Sequence, residues 1–186
     1  MALKRGKQTY LFQHPAAIRS FAAIGSKREG EGPLGEFFDT IDPDSTFGQK
    51  SWERAESRLH HDTVELAVKK AGLSYADLDC LLAGDLLNQC IGATFGVREL
   101  GIPYLGIYGA CSNMAEGLLL SAFLAESGLR YLGVSTASHF CTAERQYRFP
   151  LEYGGQRTPT SQWTVTGGVA VVVAGATAQT PDQAGP

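Results

Sequence analysis

The reactive side chains with the most telling placement are Cys111, Asp85 and His139. Cys111 lies in Tyr104-Leu-Gly-Ile-Tyr-Gly-Ala-Cys-Ser-Asn-Met, where a strand-like run turns at Gly109-Ala110 and passes into a long apolar helix. A helix N-terminus offers unpaired N–H groups and partial positive charge, both of which favour a thiolate. Small residues at 109 and 110 let the backbone turn tightly beside the sulfur. A cysteine nucleophile needs this setting, although a free cysteine also packs well as a small hydrophobe. His139 is the candidate base or hydrogen-bond donor, with helix N–H groups able to hold an oxyanion. The competing role for His139 is a buried imidazole satisfied by backbone. Asp85 can orient His139 or bind a ligand donor, or it can cap the helix that follows it. Asn88 and Gln89 are candidate amide contacts or caps. Arg148, with Arg145 and Arg157, can grip a carboxylate ligand bidentately, or can join Glu144 and Glu152 in a surface network.

The elements that must position these residues follow from pattern. Residues 8–14 (QTYLFQH) read as a first strand stopped by Pro15, and 16–50 as an irregular segment rich in glycine. In that segment Asp39, Asp42 and Asp44 lack a calcium-loop pattern and read as a solvated turn cluster. Ser51 caps a helix with Trp52, Ala55, Leu59, Leu66 and Ala67 at helical spacing and Gly72 as its stop. On that helix His60 and His61, with no partner at i,i+4, read as surface residues. Ser74 to Asp77 forms a capped turn before a strand over 78–84. A second helix over 88–100 ends at Gly101 and Pro103. The Cys111 strand and helix follow, then a strand over 130–136, a polar stretch over 140–165 with a Gly154-Gly155 turn, and an apolar strand over 168–174.

Alternating strands and helices imply βαβ crossovers and a mainly parallel sheet. The last strand follows without a helix and is free to run antiparallel. The expected fold is α/β: a five-stranded mixed sheet, elements βαβαβαββ, with helices on both faces. Ligands gather beyond the carboxyl ends of strands in such sheets, and Asp85, Cys111 and His139 each fall just after such an end. Their convergence depends on strand order.

Composition narrows the function class. With 44% hydrophobic and 19% charged residues, the 186-residue chain is ordinary globular protein of one domain. A net charge of −3 gives no footprint for nucleic acid. The four cysteines (80, 90, 111, 141) show neither zinc-ligand spacing nor a disulfide framework, so no metal or cofactor is expected and reduced thiols fit. The basic N-terminus lacks the apolar core of a signal peptide, and no run reaches the roughly 20 apolar residues of a membrane span.

Several segments carry a family likeness. Element order, with GACS (109–112) heading a long helix, resembles the N-terminal half of the thiolase fold of thiolases and ketoacyl synthases. GPLGEFFD (32–39), QKSWERAE (49–56), LLAGDLLNQ (81–89), YGACS (108–112) and TAERQYRFPLEYGGQ (142–156) resemble the stage V sporulation protein AD family of spore-forming bacteria. The likeness spans roughly 7–175. It implies a thiolase-like half-domain over 1–175, a disordered tail over 176–186, and an absent second half, so that the chain looks truncated, split or dependent on a homodimer or another chain. It further implies a protein that binds dipicolinic acid, a small aromatic dicarboxylate, and supports its uptake into the developing spore with other subunits of a complex at the inner membrane, reached through partners. Cys111 matches the nucleophile position of the fold, so acyl transfer is the alternative. The implied ligand set is Asp85, Asn88, Cys111, His139 and Arg148.

Overall fold

A computed structural model describes residues 2–86, 90–147, 160 and 163–179, the side chains of 145–147 and 179 excepted. In chain order it has β1 (Leu3–Arg5), β2 (Thr9–Leu11), β3 (Ala17–Ser26), α1 (Lys27–Gly30), β4 (Thr40–Asp42), α2 (Trp52–Ala71), β5 (Cys80–Asp85), α3 (Ile91–Val97), β6 (Tyr104–Gly106), α4 (Asn113–Glu126), β7 (Tyr131–Ser138), α5 (Phe140–Tyr147), β8 (Gly167–Ala174) and α6 (Ala176–Gln179).

Strand alternation builds the core. On β8, Ala170 and Val172 face α2, while Val171 and Val173 face α4. Leu81 and Leu82 on β5 divide the same way. Leu81, Leu82 and Leu132 are completely buried, each contributing about 1.5–3 kcal/mol of transfer free energy. The helix α2 forms as its sequence requires: Ser51 accepts a hydrogen bond from Arg54 N–H, and Gly72 closes the helix in the left-handed region at φ +73°. The Ser74–Asp77 capping box is also present.

The main sheet has six strands in the order β4-β3-β8-β7-β5-β6. Strands β5, β6 and β7 pair in parallel, as do β3 and β4, and β8 runs antiparallel to both its neighbours. Helices lie on both faces.

Several expectations are corrected. Residues 8–14 do not supply the first strand of this sheet: β2 pairs only with β1 in a separate two-stranded ribbon, and Tyr10 and Phe12 pack edge-on against Phe123 of α4. That place belongs to β3, inside the segment expected to be irregular. With β4 added, it raises the strand number from five to six. The polar stretch after His139 contains a helix, α5. Of the aspartate cluster, Asp44 shapes a turn, accepting hydrogen bonds from the N–H groups of Thr46 and Gly48, whereas Asp42 closes β4 and Asp39 accepts from Ala23 N–H and pairs with Lys70. Within 176–186, Ala176–Gln179 form the helical turn α6, and 180–186 lie outside the described residues.

Candidate functional site

The Cys111 turn is built as a tight junction. Ala110 has φ +46°, a left-handed conformation that costs a non-glycine residue about 1–3 kcal/mol and persists only where neighbours over-determine it. Those neighbours are visible. Ser112 N–H and Oγ both donate to the Gly109 carbonyl, at 2.9 and 2.8 Å. Asn113, the first residue of α4 and fully buried, accepts from Gly109 N–H at 2.6 Å and donates through Nδ2 to the Asp85 carbonyl at 2.8 Å. Cys111 itself is exposed, in a single 3-10 turn that precedes α4. Two other thiols differ: burial pushes up both Cys80, at the start of β5, and Cys90, just before α3, and keeps them protonated.

Cys111 opens on a cleft of about 250 Å³ at the carboxyl ends of β5 and β7. Its wall includes Met114, Thr136, Ser138, Val165 and Val169, with Phe38 from the segment before β4. The contribution of β7 is a matter of parity. Leu132 packs in the cluster on the α4 face, so Thr136 and Ser138 share its side of the sheet. Neither was singled out from sequence, yet alternation from the apolar Leu132 and Val134 marks them once the strand is extended to Ser138.

The same parity sends Asp85 the other way. Asp85 is on the side of Leu81, toward α2, whereas Gly84 faces Asn113 and α4. Its carboxylate is 2% exposed and accepts hydrogen bonds from Gly92 and Ala93 N–H at 2.8 and 2.6 Å, capping α3. The capping role weighed for it is therefore the one in place.

His139 also turns from Cys111. It is 1% exposed. Its Nδ1 accepts from Cys141 N–H at 3.1 Å, so Nε2 carries the proton and donates to the Ser45 carbonyl at 2.8 Å. Burial holds this imidazole below its usual range. With both nitrogens engaged by backbone, His139 does not serve Cys111 as a base, and it lines a different cleft with Trp163 and Thr166. The convergence of three side chains at one rim is thus corrected to one, Cys111, with Asp85 and His139 on the opposite face. Asn88 and Arg148 lie outside the described residues.

Beneath that opposite face lies a polar cluster that sequence did not reveal. His60, expected at the surface, is completely buried. Its Nδ1 lies 2.9 Å from Ser135 Oγ, and its Nε2 lies 3.3 Å from Asp85 Oδ1 without a hydrogen bond in proper alignment. Glu56, 2% exposed, has Oε2 2.8 Å from Thr142 Oγ1, which is also 2.8 Å from the His139 carbonyl. A threonine hydroxyl has one proton, and a carbonyl only accepts. With Glu56 as a neutral acid, its proton can go to Thr142 Oγ1 while Thr142 donates to the His139 carbonyl, so one proton serves each contact. Burial, opposed by the Thr142 hydroxyl and assisted by the nearby Asp85 charge, pushes its carboxyl up to about 8, which leaves it a neutral acid at pH 7.

Elsewhere, a groove of about 680 Å³ on the outer side of α2 and α3 is remote from Cys111. No helix among the described residues is long and apolar enough to cross a membrane.

Comparison with known proteins gives this geometry its setting. A model of the Stage V sporulation protein AD family matches residues 6–182. The Stage V sporulation protein AD of Bacillus subtilis (strain 168) is 44% identical over 177 residues, which are 95% of this chain and 51% of that protein. The chain thus spans about half the length of its curated relative. Among solved structures, a variant of OleA from Xanthomonas campestris superposes with a TM-score of 0.59 at 16% identity, over 92% of this chain and 59% of that one. The 3-oxoacyl-[acyl-carrier-protein] synthase III of Aquifex aeolicus VF5 gives 0.56 at 18%, over 86% and 53%. At such identities the likeness is one of fold, and the fold is thiolase-like α/β.

Proposed function

This chain belongs to the stage V sporulation protein AD family, and from that membership we propose that it binds dipicolinic acid and supports its uptake into the developing spore. In this reading it works without catalysis, beside other subunits of a complex at the spore inner membrane. The observation that carries it is the cleft beside Cys111. A flat aromatic ring suits the apolar wall of Phe38, Met114, Val165 and Val169, with Cys111 and the Thr136 hydroxyl as nearby polar contacts. Arg148 is the proposed partner for a ligand carboxylate. Asp85 and His139 would act indirectly, by fixing α3 and α5 from behind the sheet.

Calorimetric titration of dipicolinate into the purified chain tests this. Saturable heat is expected, and Thr136→Val should weaken binding about fivefold, the worth of about 1 kcal/mol for one neutral hydrogen bond. No heat from a chain shown to be folded overturns binding by this chain.

Acyl transfer through Cys111 is the second reading, favoured by the strained Ala110 beneath an exposed thiol. Against it, neither buried histidine is available as a base: His139 is engaged at both nitrogens, and His60 lies beyond the sheet with Asp85. Incubation with acetyl-CoA at neutral pH is therefore expected to leave the intact mass unchanged. An adduct that disappears in Cys111→Ala would establish acyl transfer instead.

A further inference from the structure

The left-handed Ala110 needs a restraint, because nothing in its own side chain stabilises φ +46°. The Ser112 contacts to the Gly109 carbonyl close the turn on itself but fasten it to nothing else. Among the described residues, Asn113 is the side chain that reaches outward from this turn. One amide group takes the Gly109 N–H on one side and gives a hydrogen bond to the Asp85 carbonyl on the other. It thereby joins the turn that carries Cys111 to the last residue of β5, with every atom buried.

The surroundings are shaped to admit it. A Cβ on Gly84 would fall 2.7 Å from Asn113 Nδ2 and would strike the Ile107 carbonyl, so the residue before the last of β5 must be glycine. A Cβ on Gly109 would lie 3.1 Å from Asn113 Oδ1 and collide with the Glu116 carboxylate. Two glycines clear space on either side of one amide. An amide of this length accepts at one end and donates at the other at any pH, whereas a carboxyl does so only while protonated.

We infer that Asn113 is the positioning residue of the Cys111 cleft, holding the turn that carries the thiol against the end of β5. The effect on ligand rests on the reading above, in which Cys111 lines the dipicolinate cleft. The effect on the turn does not.

The test compares Asn113→Ala, Asn113→Asp and a distant core control, Val64→Ala on α2, by amide hydrogen exchange and dipicolinate titration on the full chain. In Asn113→Ala, exchange at Gly109 N–H should quicken at least tenfold more than in Val64→Ala, and dipicolinate should bind at least tenfold more weakly. Asn113→Asp supplies a second, pH-resolved readout. As a neutral acid it accepts from Gly109 N–H and donates to the Asp85 carbonyl, replacing both bonds. Once ionised it cannot donate, and it faces the Asp85 carbonyl oxygen with the Glu116 carboxylate close by. Its Gly109 protection should approach wild type at acid pH and fall as the new carboxyl titrates, a pattern that simple loss of stability does not produce. Gly109 exchange in Asn113→Ala equal to that of Val64→Ala, or a pH-independent Asn113→Asp, overturns the inference. A wild-type chain that binds no dipicolinate overturns the ligand reading and leaves the role of Asn113 to be decided by the exchange data alone.

Discussion

Asp85→Ala is expected to lower the stability of the folded chain by about 3–5 kcal/mol, a large share of the roughly 5–15 kcal/mol that holds a typical domain folded. The loss has three sources on one side chain. The N–H groups of Gly92 and Ala93 would have no acceptor in a region where water does not reach, and each such orphan costs about 1–3 kcal/mol. His60 Nε2 would lose the carboxylate 3.3 Å away, leaving a fully buried imidazole facing a void. Asp85→Asn retains one acceptor oxygen and should cost less than half as much. Denaturant unfolding followed by circular dichroism measures both. The comparison also separates the role of Asp85 from ligand contact: a substitution that removed only a ligand donor would weaken dipicolinate and leave the unfolding midpoint in place. A stable, soluble Asp85→Ala with an unshifted midpoint would contradict the capping role.

The same residue shows where a sequence is transparent and where it is not. Local features were legible because their causes are local. Ser51 and Gly72 bound α2, the apolar run of β8 can only be a buried strand, and Gly109-Ala110 before a long apolar run marks the Cys111 turn. Strand β3 was hidden because AIRSFAAIGS has no clear alternation. Its small residues answer to close neighbours, such as Phe38, whose ring would lie 2.9 Å from a Cβ on Gly25. His60 was misplaced for a related reason. Along its own helix it has no partner, and its partners Ser135 and Asp85 stand on β7 and β5, 75 and 25 positions away in a chain whose strand order the sequence does not print. The proposed rim failed on parity. That each of Asp85, Cys111 and His139 follows a strand end is visible in sequence, but which face each side chain takes depends on the register at the last residue of each strand. A one-residue difference there reverses the face. Thr136 and Ser138, two and four positions after Val134, are the residues that this counting places beside Cys111.

The second large effect concerns pH. A group whose pKa is higher in the folded than in the unfolded state holds a proton that unfolding releases. Its contribution is complete below the unfolded value and fades as pH rises toward the folded one. For Glu56 those limits are the ordinary 4.5 and about 8. Across this window the folded state should lose stability at about 1.4 kcal/mol per pH unit, or roughly 3 kcal/mol between pH 4.5 and pH 7. His139 works in the opposite sense at lower pH. Its pKa is depressed by burial, so the unfolded chain takes up a proton first as pH falls through about 6.5, and stability declines on further acidification. Glu56→Gln isolates the first effect. The amide keeps the length of the side chain and can donate to Thr142, which continues to donate to the His139 carbonyl, but it has no charge to acquire. The variant should match wild type near pH 4.5 and exceed it by about 3 kcal/mol at pH 7. Denaturant midpoints at pH 5 and pH 7.5 decide the matter, because His139 contributes equally to both proteins and cancels in the difference. Parallel stability curves for the two proteins would mean that Glu56 is ionised in the fold, and that Thr142 directs its proton to the carboxylate instead of to His139.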